Sequence, residues 1–194
     1  MSERLPLRER KRQRAREQIV KAAFELFAER SYGEVTVTDI AERAQVGRTT
    51  FFRYFGDKQE VVFADEQALL RSFADHHRAL GTGTPPTLDE ALRQLRTVVL
   101  AMCDEITSDT DYYLAHLRLV TENPELADRN TRKLAGYADT LVANLREQGA
   151  SDLVAVLAPQ LGLACYRTAQ QLAGDDPTAL RDAVDAAFDQ LTRH

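Results

Sequence analysis

Apolar residues recur at three- and four-residue intervals along nearly the whole chain, a spacing that admits α-helix and little else, while strand-like alternation is almost absent. Gly, Pro and Asn break the pattern at intervals that suit helices of a few turns. Ile19, Ala22, Ala23, Leu26 and Phe27 form the first stripe, on a helix expected to start near Arg10 and to end before Gly33. Thr36, three residues before Asp39, reads as a capping box opening a two-turn helix that turns Val37, Ile40, Ala41 and Ala44 inward. Gln45, Val46 and Gly47 interrupt it, and a second short helix follows from Arg48 to Phe55. Asp57 with Glu60 caps what reads as one long helix, through Val62, Leu69, Phe73 and Leu80, broken by GTGTPPT at 81–87.

Thr87 and Glu90 cap the next helix, which is striped to about Thr107, and a shorter one follows at 111–122. Asn123 followed by Pro124 opens a helix that stops at Gly149. Ser151 caps another that runs to Gly174, with Pro159 marking either a kink or its true start. Asp176 and Pro177 begin the last, whose apolar face runs Leu180, Val184, Ala187, Phe188 and Leu191. The expectation is an all-α protein of about nine helices.

Charge divides the chain. The net value is −5, yet residues 1–58 carry +4 and residues 59–194 carry −9. A basic front end on an acidic body suits a module that faces a polyanion while the rest stays soluble. With 44% hydrophobic residues over 194 positions, the chain can bury a real core. No apolar run approaches the ~20 residues that span a bilayer, and the N-terminus lacks the hydrophobic stretch of a secretory signal. A cytoplasmic protein without a membrane partner is expected. Cys103 and Cys165 lie in separate apolar segments without a CxxC partner and read as packing residues, and the adjacent His76 and His77 diverge on a helix, so neither metal nor cofactor is expected.

Two short helices joined by a three-residue turn, after a supporting helix, have the geometry that lays a second helix in a DNA major groove. With Phe51 and Phe55 turned inward, Arg48, Thr49, Thr50, Arg53 and Tyr54 are left for phosphates and base edges. Arg48, near the helix start, is the first candidate for a base contact. The basic segment LPLRERKRQRAR before the first stripe is either an arm or helix start on DNA, or a solvated terminus.

From Ile19 to Val62 the string IVKAAFELFAERSYGEVTVTDIAERAQVGRTTFFRYFGDKQEVV resembles the DNA-binding domain of the tetracycline-repressor (TetR-type) family. Phe27 and Tyr32 match its first helix and exit; Thr36, Ile40 and Ala41 the positioning helix; Val46 the turn; Phe52, Tyr54, Phe55 and Lys58 the recognition end. The resemblance implies phosphate contacts for Thr36, Thr38, Tyr54 and Lys58, and base or adjacent phosphate contacts for Arg48, Thr49, Thr50 and Arg53. Phe52 has two readings, an exposed ring on a thymine methyl or sugar, or packing against the first helix. Gly47 departs from the pattern, standing where the family usually has a serine that caps the recognition helix and touches phosphate.

For the rest of the chain the resemblance implies architecture: a DNA-binding domain at 1–57, and at 58–194 a helical ligand-binding domain whose last two long helices pair with those of a second subunit. Gly162, Ala164 and Ala169 permit close helix approach, and Leu161, Ala164, Leu180, Val184, Phe188 and Leu191 are the candidate dimer contacts, although burial within one subunit would use the same residues. Met102, Cys103, Tyr113, His116, Leu117, Tyr137 and Tyr166 are candidate effector contacts, mixing apolar walls with polar tips. RTTFFRYF and the two closing helices also resemble actinobacterial regulators of an acyl-CoA-sensing branch. The functional expectation is a homodimeric repressor released from a palindromic operator by a small apolar or amphipathic effector. An activator or architectural regulator without effector is the alternative. A helical-bundle enzyme fares worst, because no HExxH, P-loop, GxSxG or paired Glu-x-x-His motif is present.

Overall fold

The computed structural model describes residues 7–192 and divides the chain into two compact units, 1–65 and 66–194. Residues 1–6, which include the first residues of the basic segment, lie outside the described part. The described residues form ten α-helices and one 3-10 turn.

The first unit contains α1 (Leu7–Glu29), the 3-10 turn Tyr32–Glu34, α2 (Val37–Arg43), α3 (Arg48–Tyr54) and α4 (Lys58–Val62). Its core gathers the expected stripe: Ile19, Ala23, Ile40 and Phe51 are wholly buried, with Leu26, Val35, Phe55 and Val61 nearly so. The Thr36–Asp39 capping box closes as expected, with the Asp39 carboxylate 2.8 Å from both the Thr36 amide and its hydroxyl. Its other end closes by the backbone: the Gln45 amide donates to Glu42 and that of Val46 to Ala41, a pairing that requires Gln45 to turn left-handed, at φ 54°.

The long helix expected from Asp57 to Leu80 is two helices, α4 and α5 (Glu66–Ala79), separated by a turn at 63–65. Hence the described residues form ten helices where about nine were expected. At this turn the Arg16 guanidinium of α1 donates to the Ala64 carbonyl and the Asp65 carboxylate, tying it to the first unit. Because α4 packs on α1, the first unit ends at Asp65, beyond the boundary read after Asp57.

The second unit contains α5, α6 (Leu88–Thr107), α7 (Thr110–Glu122), α8 (Pro124–Glu147), α9 (Asp152–Ala173) and α10 (Pro177–Thr192). α9 runs unbroken through Pro159, which is therefore interior to the helix and not its start. α10 packs on α9 and α6, α8 on α9, and α5 on α8 and α6. Leu95, Leu145, Leu180, Val184 and Phe188 are fully buried at the centre. Arg96 pins α6 to α10 through Asp185 at 2.7 Å and Asp189 at 2.8 Å.

The placement of Leu180, Val184 and Phe188 corrects the expected dimer contacts. All three are sealed inside a single chain, so the stripe that looked uncovered in sequence is the protomer's own core. Leu161 and Leu191 are half-buried against that core, and Ala164 alone of the six is exposed.

Candidate functional site

α3 presents its outer face as a consequence of how it is anchored. Phe51, fully buried, and Phe55, nearly so, fix the inner face, which leaves Arg48, Thr49, Phe52 and Arg53 exposed and Thr50 and Tyr54 half-buried. Phe52 is 49% exposed and meets Phe51 edge-to-face, so its ring points outward rather than packing on α1. Arg53 lies over the Tyr54 ring at 5.2 Å, a stacking that holds its guanidinium beside the helix.

The arginines of this unit fall into two groups. Arg16, Arg30 and Arg43 each hold a carboxylate: Asp65 at 3.2 Å, Asp39 at 3.5 Å and Glu29 at 2.7 Å. Arg48 and Arg53 have no ion pair among the described residues, nor do Arg10, Lys11, Arg12 and Arg14 along the exposed start of α1. The basic segment from Leu7 onward is thus helical. Cations without local partners, on the same small unit as an outward helix face, are what a phosphate backbone neutralises.

The residues that the resemblance put on phosphate are not alike. Thr38 is half-buried and its hydroxyl makes no hydrogen bond among the described residues. The Thr36 hydroxyl already donates to Asp39, whose carboxyl these bonds from Thr36, with Arg30 nearby, hold below the usual range; using that hydroxyl on phosphate would open the box. Lys58 donates to the Tyr32 carbonyl at 2.8 Å and the Val35 carbonyl at 3.2 Å, with its ammonium 4.2 Å from the Tyr32 ring centre. It ties α4 to the turn that leads into α2. Gly47, the N-cap of α3, offers no side-chain cap, and a Cβ added there would meet open space.

In the second unit a cavity of about 30 Å³ lies among α5, α6, α8 and α9. Met102, Tyr137 and Tyr166 line it, as do Phe73, Leu95 and Gly162, which the sequence did not single out as effector contacts. Of the other expected contacts, Cys103 and Tyr113 are buried in the core, and His116 and Leu117 are half-buried on α7; none of the four lines the cavity. Burial pushes the Cys103 thiol up to about 12, so it stays protonated and serves as packing.

A surface that the sequence reading missed lies on α9. Leu153, Val156, Leu157 and Leu172 are 73%, 45%, 36% and 74% exposed. The signal was present, since 153, 156 and 157 follow i, i+3, i+4 spacing, but it overlapped a helix already apolar on its inner side. Among the described residues no helix is long and apolar enough to cross a membrane, and no group of three or more His, Cys, Asp or Glu is placed to hold a metal.

Residues 19–64, which include α2, α3 and α4, match the sequence model described as bacterial regulatory proteins, tetR family. The chain is 28% identical over 195 residues to the HTH-type transcriptional regulator TcmR of Streptomyces glaucescens, covering 95% of this chain and 86% of that protein. Among solved structures it superposes on SmeT bound to triclosan with a TM-score of 0.63 at 18% identity, over 91% of this chain and 88% of the other. It also superposes on Thermus thermophilus FadR, a TetR-family repressor in complex with lauroyl-CoA, with a TM-score of 0.55 at 25% identity, over 91% and 92% of the two chains. The outward α3 anchored by Phe51 and Phe55 lies inside the matched stretch: residues 19–64 are similar to the tetR family of bacterial regulatory proteins, and nearly the whole chain is similar to the regulators just described.

Proposed function

We propose that the protein is a cytoplasmic homodimeric repressor that holds a palindromic operator through α3 and releases it when a small molecule enters the α5–α6–α8–α9 cavity. The observation that carries the DNA half is the pair Arg48 and Arg53, exposed on α3 without a carboxylate partner among the described residues, beside the donors Thr49 and Thr50. Thr38 supplies a phosphate donor, Tyr54 a hydroxyl at the helix end, and Phe52 an apolar surface for a thymine methyl. Thr36 and Lys58 act chiefly by holding α2 in place.

Support for the dimer comes from α9, whose solvent-facing leucines and valine are too large and too many to leave in water at no cost. A second copy related by two-fold symmetry would cover them, with Ala164 at the point of close approach. Support for the effector comes from the apolar cavity and from the acyl-CoA bound by the Thermus thermophilus relative. A cavity near the size of one water cannot admit such a molecule without moving its walls. Binding therefore favours a different arrangement of the bundle, which is what a ligand must do to change DNA affinity.

Paired substitutions test this assembly. Val156→Glu with Leu157→Glu should give folded monomers by sedimentation equilibrium that no longer bind operator cooperatively. Val184→Glu, by contrast, should unfold the second unit, because it buries a charge where nothing pairs it. A folded dimer carrying both α9 substitutions would place the interface elsewhere.

A further inference from the structure

The inference below rests on the reading of the cavity as the effector site and concerns what chemistry it accepts. Its wall contains no charged side chain, and apart from two phenols its side chains are apolar. Tyr137 donates its hydroxyl proton to the Glu66 carbonyl at 3.5 Å. Tyr166 is 7% exposed and its hydroxyl makes no hydrogen bond among the described residues. A phenol in that state has a proton to donate to whatever enters the cavity.

The electrostatic surroundings exclude one kind of acceptor. The groups that face Tyr166 are Cys103, Tyr113 and Tyr137, all uncharged at neutral pH. Around Tyr137 the charged groups are the carboxylates Glu66 and Glu105, which add to the effect of burial in raising its pKa. Arg129 and Lys133, at the start of the same stretch of α8, are turned toward Glu66, Arg129 at 3.9 Å from it, and neither belongs to the wall. A free carboxylate brought to this place would lose its hydration and find no cation on the wall itself.

We infer that the effector enters as an uncharged, largely apolar body and that the Tyr166 hydroxyl donates to an uncharged oxygen on it, such as a carbonyl. A neutral ester and an acyl thioester supply that same group; in the second case the charged carrier stays outside the wall. Gly162 limits the space available. A Cβ there would sit 3.7 Å from Leu95 and from Phe188, ordinary contact, so Gly162→Ala should fold normally while filling much of the cavity.

The test is calorimetric titration and thermal shift of the full chain with three probes of one chain length: ethyl decanoate, sodium decanoate and decanoyl-CoA. They are titrated against wild type, Tyr166→Phe and Gly162→Ala, with melting curves as the fold control. The ester should bind wild type at least about tenfold more tightly than decanoate. Tyr166→Phe should weaken the ester by about tenfold, the loss of one buried hydrogen bond, without lowering the melting temperature. Decanoyl-CoA with the same Tyr166 dependence identifies the thioester as a source; ester binding alone identifies a free neutral lipid. Decanoate binding as tightly as the ester, weakened by Gly162→Ala, would overturn the uncharged-effector inference and leave the site standing. Ester affinity that ignores both substitutions would overturn it by moving binding elsewhere. No binding of any probe to wild type would remove the inference together with the effector role of the cavity.

Discussion

The two units differ in where they leave polar capacity unused. In the first, the surplus lies outside: Arg48 and Arg53 on α3, and Arg10, Lys11, Arg12 and Arg14 on α1, are solvent-facing cations without carboxylate partners among the described residues. In the second it lies inside: the Tyr166 hydroxyl at the cavity, and His77, which is wholly buried with its Nε2 unpartnered among the described residues. An outward surplus of charge suits a large polyanion that stays at the surface, and an inward surplus of uncharged donors suits a small molecule that must be engulfed. On the function proposed above, one chain carries two recognition chemistries, one on each side of the turn at 63–65 in sequence.

Acid should sharpen that contrast most. Burial, with smaller contributions from Arg78 and His76, lowers His77 from 6.5 to about 4. Its ring meets the Asn144 amide nitrogen at 3.4 Å, and Asn144 also donates to the Ala74 carbonyl at 3.0 Å. Between those two pH values the unfolded chain takes up a proton that the folded chain refuses. Stability from this group is complete above about pH 6.5 and falls as pH drops toward 4, by up to about 3 kcal/mol. Urea unfolding of wild type and His77→Gln from pH 7.5 to 4.5 checks it: the difference between the two should shrink on acidification. A constant difference would assign the acid sensitivity to other groups.

Lys58 comes next in size and separates a clamp from a phosphate contact. Lys58→Met removes two charge-assisted hydrogen bonds and a cation–π contact from a half-buried site, an expected loss of about 1–2 kcal/mol. DNA affinity should fall with an unchanged dependence on salt. If the melting temperature holds while the slope of log affinity against log salt shrinks by about one, Lys58 touches phosphate instead. The smallest effect belongs to the turn between α2 and α3. Gln45→Gly relieves a left-handed conformation that side chains disfavour and should stabilise the first unit by up to about 1 kcal/mol, read from a thermal melt. Any destabilisation would mean that the Gln45 side chain contributes contacts outweighing its backbone strain.

How far these features were legible in the sequence follows the range of the interactions that make them. The capping box at Thr36 and the inward pair Phe51 and Phe55 are local, so α2, α3 and the outward set from Arg48 to Arg53 could be read directly. The break after Val62 could not, because the turn there is held by Arg16 on α1, distant in sequence. Periodicity reports that a face is covered without saying by what: Leu180, Val184 and Phe188 carry the same signal as an interface, and the fold spends them on α6 and α9. The exposed leucines of α9 were hidden by the converse, a helix apolar on two sides. Tyr137 and Tyr166 were found at the cavity because polar tips on apolar helices stand out; Gly162 was not, since a glycine wall is defined by its neighbours.

The central claim is that the unpaired cations of α3 read DNA, and binding-site selection from random duplexes followed by titration at several salt concentrations tests it most directly. Wild type should recover a palindrome with half-site centres about one helical turn (~34–36 Å) or a multiple apart. Arg48→Ala should cost about 1–3 kcal/mol and relax preference at one position in each half-site. The Arg48→Ala, Arg53→Ala double variant should retain the wild-type melting temperature, since both side chains are exposed, while losing specific affinity. Recovery of no palindrome by wild type, or full specific affinity in the double variant, would contradict it.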